Sequence, residues 1–148
     1  MIRLKHFKVQ ELVDRSTYER FGESSIMFLD ERLLRGIDVI RGKLNASVII
    51  NTWHSGGGLQ FRGFRPPTST VGASFSQHRF GRAVDFHSSH IGILQVQEWV
   101  LANQVLLREL GFTTMENFDY TPTWVHLDMR TLPISAGLEE DKLWVVNP

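Results

Sequence analysis

The sequence contains no cysteine in its 148 residues, so disulfide bonds and thiolate metal ligands are excluded. Any metal ion must therefore be held by histidine, aspartate or glutamate side chains. The absence of cysteine indicates no compartment, because such a chain folds in reducing and oxidising surroundings alike. The length fits one domain spanning residues 1–148, with enough residues to bury a core.

The chain also lacks an excess of charge of either sign and a long apolar run. Sixteen Lys and Arg residues balance sixteen Asp and Glu residues, so net charge predicts no binding to nucleic acid or to a membrane surface. No stretch is long enough to cross a bilayer, and residues 1–8 lack the apolar region of a secretory signal. We expect a protein synthesised in a cytoplasm without a signal peptide and without membrane insertion, and the sequence implies no protein partner.

Hydrophobic spacing predicts helices packed on a sheet. A short amphipathic helix is predicted over residues 8–15, a long one over 24–44 with Ser24 or Ser25 as N-cap, and a second long one over 89–110, ended by Gly111. Between them lies an irregular segment, 53–77, long enough to indicate a functional or disordered loop. The predicted strands are 47–51, 82–86, 112–116, 123–129 and 143–146. This order predicts the α+β class, with a mainly antiparallel sheet flanked by helices.

Two short strings carry the chemistry. Residues 76–85 read Ser-Gln-His-Arg-Phe-Gly-Arg-Ala-Val-Asp, and residues 124–128 read Trp-Val-His-Leu-Asp. Gly81 allows a tight turn between His78 and Asp85, and the small Ala83 on the Asp85 face of the strand leaves room for an ion. Two imidazoles and one carboxylate suit a zinc ion with an open coordination position, which lowers the pKa of bound water from near 16 to about 7. We therefore predict a zinc hydrolase.

The Ser-x-His-x-x-Gly-x-Ala-x-Asp string and the aromatic strand with a central histidine resemble those of the zinc D-alanyl-D-alanine carboxypeptidase and L-alanyl-D-glutamate endopeptidase family. That family includes vancomycin-resistance D,D-dipeptidases and several bacteriophage endolysins, and it shares its fold with the hedgehog signalling domain. The resemblance covers roughly residues 46–130. It implies that His78, Asp85 and His126 bind Zn²⁺, that the fold is hedgehog/DD-peptidase-like, and that peptidoglycan stem peptides are the substrate.

The resemblance extends to substrate binding. The family carries an arginine after a Tyr or Phe shortly before the first ligand, and Phe64-Arg65-Pro66 resembles that element. A guanidinium there suits the planar carboxylate of a peptide C-terminus, although Arg65 also fits a surface residue of a mobile loop. Ser76 is predicted at the substrate site as a loop cap or supporting hydrogen-bond donor.

The general base departs from the family pattern. Many relatives place Glu or Asp three residues before the last histidine ligand, but here that position is Thr123, which cannot take a proton from water. Glu116 is the favoured substitute, because a hairpin with connection 117–122 would set it opposite Thr123, about 5 Å away. Asp128 is the rival, on the same strand face as His126, and it could instead orient a ligand or pair with Arg130.

The sequence thus predicts a zinc metallopeptidase that hydrolyses stem-peptide bonds as a D,D-carboxypeptidase or an L-alanyl-D-glutamate-type endopeptidase. The short chain without a signal fits a phage or prophage product that reaches the cell wall after holin-type release or as a virion component. The alternative is a non-catalytic zinc module on the same fold, which binds wall fragments or serves as a phage structural part. A purely structural domain without metal is the third class.

Overall fold

Helices and a four-stranded sheet make up the computed structural model, which describes residues 3–133, 137 and 139–148. In this part of the chain, the α-helices are α1 (Arg15–Phe21), α2 (Glu31–Leu44), α3 (Ile93–Ala102) and α4 (Gln104–Glu109). The strands are β1 (Ala83–Phe86), β2 (Thr114–Glu116), β3 (Val125–Asp128) and β4 (Trp144–Val146). Short 3₁₀ helices span Val9–Glu11, Gly22–Phe28, Trp53–Ser55 and Gln77–Phe80.

The sheet is mixed, with strand order β1-β3-β2-β4. β3 pairs antiparallel with both β1 and β2, whereas β4 pairs parallel with β2. Helices beside a sheet agree with the predicted α+β class, but the expectation of a mainly antiparallel sheet is wrong. β1 occupies the other edge of β3, so the last strand lies at the free edge of β2, where it runs parallel to β2.

Two predicted helices begin or end elsewhere because a polar side chain caps the backbone. Asp14 accepts a hydrogen bond from the Thr17 amide and starts α1, so residues 8–15 do not form one helix. Asp30 accepts from the Arg32 amide and starts α2, so neither Ser24 nor Ser25 is its cap and Gly22–Phe28 is a separate 3₁₀ helix.

Two further predicted elements are interrupted. The helix expected over 89–110 divides at Asn103, whose side-chain amide donates to the Trp99 carbonyl at 2.7 Å and competes with the helical bonding pattern. Residues 47–51 contribute a single bridge, between Ile49 and His87, and no strand of the sheet. Gly111, with φ +97°, follows α4 as the predicted helix stop.

Strand alternation separates a core face of the sheet from a polar face. Val84 and Phe86 of β1 and Val125 and Leu127 of β3 are buried in the hydrophobic core, which the apolar faces of α2 and α3 complete. Because successive side chains of a strand point to opposite faces, Asp85 and His126 emerge on the other side. None of the described helices is long and apolar enough to span a membrane.

Candidate metal centre

The two strands set Asp85 and His126 side by side, because β1 and β3 pair with these residues directly opposite each other. His78 approaches from the 3₁₀ helix Gln77–Phe80, which ends at Gly81 with φ +66°. A Cβ on Gly81 would lie 2.0 Å from the Phe28 carbonyl oxygen, so the tight turn predicted for this glycine is confirmed. This turn carries the chain from His78 into β1.

Three ligand atoms converge on one point. Asp85 Oδ1 lies 3.3 Å from His78 Nε2 and 2.7 Å from His126 Nδ1, and the three atoms all lie within 4.8 Å of one another. Both histidines are buried, whereas Asp85 retains some exposure. The predicted approach of His78, Asp85 and His126 is therefore confirmed: this group could hold a metal ion.

The far nitrogen of each imidazole has a fixed partner. His78 Nδ1 donates to the Gly63 carbonyl oxygen at 2.8 Å, which leaves His78 Nε2 as the free lone pair. His126 Nε2 donates to Asp128 Oδ2 at 3.0 Å, which leaves Nδ1 facing Asp85. Such partners fix the tautomer and ring orientation of metal-binding histidines, so the arrangement fits a metal site.

Asp128 is wholly buried behind His126, and Arg130 balances its negative charge. Its carboxylate accepts hydrogen bonds from the backbone amide of Arg130, at 3.0 Å, and from the Arg130 guanidinium. Both minor roles predicted for Asp128, orienting a ligand and pairing with Arg130, are therefore present together. The geometry favours these roles over that of a base, because the carboxylate faces the outer side of the His126 ring.

Burial and neighbouring carboxylates, Asp85 and Asp128 above all, determine the pKa of His126. Burial disfavours its charged form, but hydrogen bonds to Asp128 and Asp85 outweigh burial and raise the pKa of His126 to about 10. Burial likewise opposes ionisation of Asp85, yet the neighbouring imidazoles of His78 and His126 and their hydrogen bonds hold the pKa of Asp85 well below its ordinary value. A cation that binds these atoms must therefore displace a proton from His126.

Proton release on metal binding is a first testable consequence. Since the pKa of His126 lies above neutrality, zinc binding at pH 7 should release about one proton from this ring, and apparent affinity should rise about tenfold per pH unit below pH 10. Calorimetric titration of zinc in buffers of different ionisation enthalpy measures the released protons. Asp128→Asn, which removes one of the supporting carboxylates, should reduce the release at pH 8. Zinc binding with no proton released would contradict this electrostatic account.

Glu116 does not have the cross-strand partner that was predicted for it, but its carboxylate still lies beside the candidate metal ligands. The β2–β3 register pairs Thr114 with Asp128 and Met115 with Leu127, so Glu116 does not stand opposite Thr123. The connection runs from 117 to 124 and is longer than expected, which shifts the register toward the site. Glu116 Oε1 consequently lies 3.9 Å from His126 Nδ1, beside the converging ligand atoms. Thr123 is exposed and does not line the cavity.

A cavity of about 740 Å³ opens onto the ligand atoms and onto Glu116. Arg65 and Ser76 both line it, and Arg65 is only 8% exposed. The Arg65 guanidinium donates to Ser76 Oγ at 3.3 Å and to the Phe61 carbonyl oxygen at 3.2 Å. Since a guanidinium carries five N–H donors, these two bonds orient the group and leave other N–H donors for a substrate. The predicted substrate-binding residues thus lie in the same cavity as the metal ligands.

Two contributors to the site were not expected from the sequence. The Gly63 carbonyl oxygen orients His78, and Asn147 forms part of the cavity wall. A backbone carbonyl carries no sequence signal, because every residue has one. The nearness of Asn147 depends on the parallel placement of β4, which the local pattern does not specify.

Comparison of the chain with protein-family models, with curated proteins and with solved structures gave no match in any of the three. The function is therefore argued from the site geometry and from the two motif strings. The donor set, two imidazole nitrogens and one carboxylate oxygen, suits zinc and also other divalent transition metals.

Proposed function

We propose that the protein is a zinc-dependent peptidase that hydrolyses stem-peptide bonds of peptidoglycan, on a hedgehog/DD-peptidase-like fold. One observation carries the proposal: a carboxylate, Glu116, lies beside the ligand atoms of His78, Asp85 and His126 in an open cavity that also contains Arg65. A metal, a proton acceptor and a carboxylate-binding cation are the parts that peptide hydrolysis requires. The likeness of the two motif strings to the zinc carboxypeptidase and endopeptidase family favours zinc and wall peptides.

Each side chain has a defined task in this proposal. His78, Asp85 and His126 would hold the zinc ion, which supplies a water of lowered pKa and positive charge for the developing oxyanion. Glu116 Oε1 accepts the proton of the attacking water and passes it to the leaving amine nitrogen. Asp128 holds His126 in the tautomer that presents Nδ1 to the cavity.

Arg65 is the proposed anchor for the substrate. Its guanidinium is fixed by Ser76 and by the Phe61 carbonyl, and it carries further donors suited to a substrate carbonyl or terminal carboxylate. Gly72 packs directly on it: a Cβ there would lie 2.1 Å from Arg65 Nη1. The cation is therefore held in place before substrate arrives.

The test of the proposed function is direct. Purified muropeptides are incubated with the zinc-loaded protein and with the metal-free protein, and products are identified by mass spectrometry. Zinc-dependent loss of a terminal D-alanine indicates the carboxypeptidase, and cleavage between L-alanine and D-glutamate indicates the endopeptidase. Bound zinc without turnover on any wall preparation would favour the non-catalytic module, which the exposed Thr123 at the usual base position supports.

Replacement of Arg65 tests substrate anchoring. For a substrate with a free C-terminal carboxylate, Arg65→Met should raise KM about ten- to a hundredfold, because a charge-assisted hydrogen bond contributes roughly 1.5–3 kcal/mol. The matched control is the same peptide with an amidated C-terminus, on which wild type and Arg65→Met should differ far less. Equal KM values for both proteins on the acid would contradict the assignment. Steady-state kinetics on both peptides provide the measurement.

Action at the wall is part of the proposal. A phage or prophage product of this kind would meet peptidoglycan after holin-type release or as a virion component. Immunodetection of the protein in purified virions, set against its release at lysis, separates these two routes.

A further inference from the structure

The segment of residues 66–76, here named the cleft loop, forms one wall of the cavity above the metal ligands. It contains no helix or strand, and its second half, residues 72–76, lines the cavity. Two local turns stabilise it, in which the Ser69 amide donates to the Pro66 carbonyl and the Ser76 amide donates to the Ala73 carbonyl, at 3.0 and 3.1 Å. Two turns alone do not fix an eleven-residue loop in one position.

One side chain joins the two halves of the cleft loop. The Arg79 guanidinium donates from Nη1 to the carbonyl oxygens of Pro66 and Pro67 at 3.2 and 2.9 Å, and from Nη2 to that of Ser69 at 2.7 Å. Its Nε donates to the Ala73 carbonyl oxygen at 3.2 Å. Four carbonyl groups distributed along the loop thus converge on one cation, and hydrogen bonds from a charged donor are the stronger kind.

Arg79 also connects this loop to the metal centre. It follows His78 in the 3₁₀ helix Gln77–Phe80, and the His78 carbonyl oxygen accepts a hydrogen bond from the Arg65 amide at 3.1 Å. Arg79 is therefore covalently adjacent to His78, and His78 is in turn hydrogen-bonded to Arg65. The position of the loop relative to the ligands is set before any substrate binds.

The cleft loop presents an apolar ring to solvent at the cavity. Phe75 is 84% exposed and lines the cavity wall. A single exposed apolar side chain is ordinary on a protein surface, but this one belongs to a loop that Arg79 and Arg65 hold with five hydrogen bonds. The ring loses water when a ligand with an alkyl group covers it.

We propose that Arg79 is a positioning residue that holds the cleft loop as a preformed wall, and that Phe75 on this wall is a specificity-determining contact for an aliphatic side chain of the peptide substrate. The role of Phe75 rests on the proposed function, because that function makes the substrate a peptide. The role of Arg79 in holding the loop does not depend on it. The proposal therefore has one readout that needs no substrate and one that does.

The substrate-independent readout is hydrogen exchange of residues 66–76, measured by mass spectrometry on metal-free and zinc-loaded protein. Arg79→Met keeps an unbranched, shorter apolar side chain and removes every donor, so the hydrogen-bonded amides of Ser69, Val71 and Ser76 should exchange at least about tenfold faster in both forms. Arg79→Lys, with an ammonium that reaches fewer carbonyl groups, should give an intermediate rate. Arg35→Met, which removes an exposed arginine of α2 paired with Glu31, is the matched control and should leave the loop unchanged. Unaltered exchange in Arg79→Met would overturn the positioning role.

The substrate-dependent readout separates KM from kcat. Phe75→Ala should raise KM about tenfold with kcat changed less than about twofold, because the contact is made with bound substrate and not with the reacting atoms. Phe75→Leu, which stays apolar, should recover most of the affinity. The increase should disappear for a stem peptide in which alanine replaces the residue with the long alkyl side chain, because the other alanines already carry only methyl groups. An unchanged KM in Phe75→Ala would overturn the contact. Absence of turnover in the wild-type protein would instead contradict the proposed function. In that case, calorimetry of peptide binding to the Glu116→Gln protein, with and without Phe75→Ala, tests the contact, and equal affinities would overturn it.

Discussion

Glu116→Gln should lower kcat for peptide hydrolysis by about 10²–10⁴-fold, the usual contribution of a positioned general base, while zinc remains bound. The glutamine has nearly the same shape but cannot accept a proton, so the substitution removes the chemistry and preserves the cavity. Glu116 is not among the three residues whose atoms converge, and its Oε1 lies 3.9 Å from His126 Nδ1. The measurement is kcat on a defined muropeptide, with zinc content determined by plasma emission on the same sample.

Two variants make this result specific. Glu98→Gln changes an exposed carboxylate of α3 in the same way and should leave kcat unaltered. Asp128→Asn should lower zinc affinity about 10- to 100-fold, as expected for a residue that orients a ligand, and its turnover should recover at saturating zinc. A Glu116→Gln protein with wild-type turnover, or an Asp128→Asn protein that binds zinc normally but is inactive, would transfer the role of base to Asp128.

His78→Ala should lower zinc affinity by more than about 100-fold, because it removes a donor atom and not merely the partner of one. Wild-type protein should unfold at lower temperature when a chelator is added, since an ion that binds only the folded state stabilises it. The unfolding temperature of His78→Ala should not respond to the chelator. Calorimetric titration and thermal unfolding provide the two measurements.

The control for this variant is His54→Ala, which removes an exposed histidine outside the cavity. This protein should bind zinc as wild type does and should respond equally to the chelator. A His78→Ala protein that retains stoichiometric zinc would contradict the role of His78 as a ligand. A wild-type protein that never binds zinc would support a purely structural domain.

The sequence was most informative where one short string contains both side chains of a contact. Six residues that include Gly81 link His78 to Asp85. The small number of backbone paths through such a turn brings the two side chains together. His126 could be added because strand parity places it on one face together with Asp128, and the motif likeness supplied the pairing of the two strings. The structure brings these residues together as predicted.

Longer-range relations were less predictable, because they depend on how the chain packs. Glu116 was expected opposite Thr123, but the register follows from the packing of Met115 and Leu127 into the core, and the connection lengthened to satisfy it. The parallel placement of β4 beside β2 depends on tertiary packing, which local sequence patterns do not specify. Asn103 and Asp30 divide the helical patterns because their side chains compete for backbone groups, an effect that hydrophobic spacing does not register.

The contacts of the cleft loop were beyond sequence reasoning for a similar cause. Arg79 bonds to four carbonyl oxygens, and every residue carries a carbonyl group, so no residue type marks the acceptors. The residue appeared in the motif only as a variable position between His78 and Gly81. Tertiary structure alone shows that this variable position bonds to a loop that lines the cavity.

The central claim is that a zinc ion binds where His78, Asp85 and His126 meet. Anomalous scattering from crystals of the zinc-loaded protein, recorded above and below the zinc absorption edge, tests it most directly. The account predicts one strong peak bonded to His78 Nε2, Asp85 Oδ1 and His126 Nδ1 together, with a face open to the cavity that holds Glu116. Absence of a peak there, or a zinc ion bound elsewhere while these three side chains keep their hydrogen bonds to one another, would contradict it.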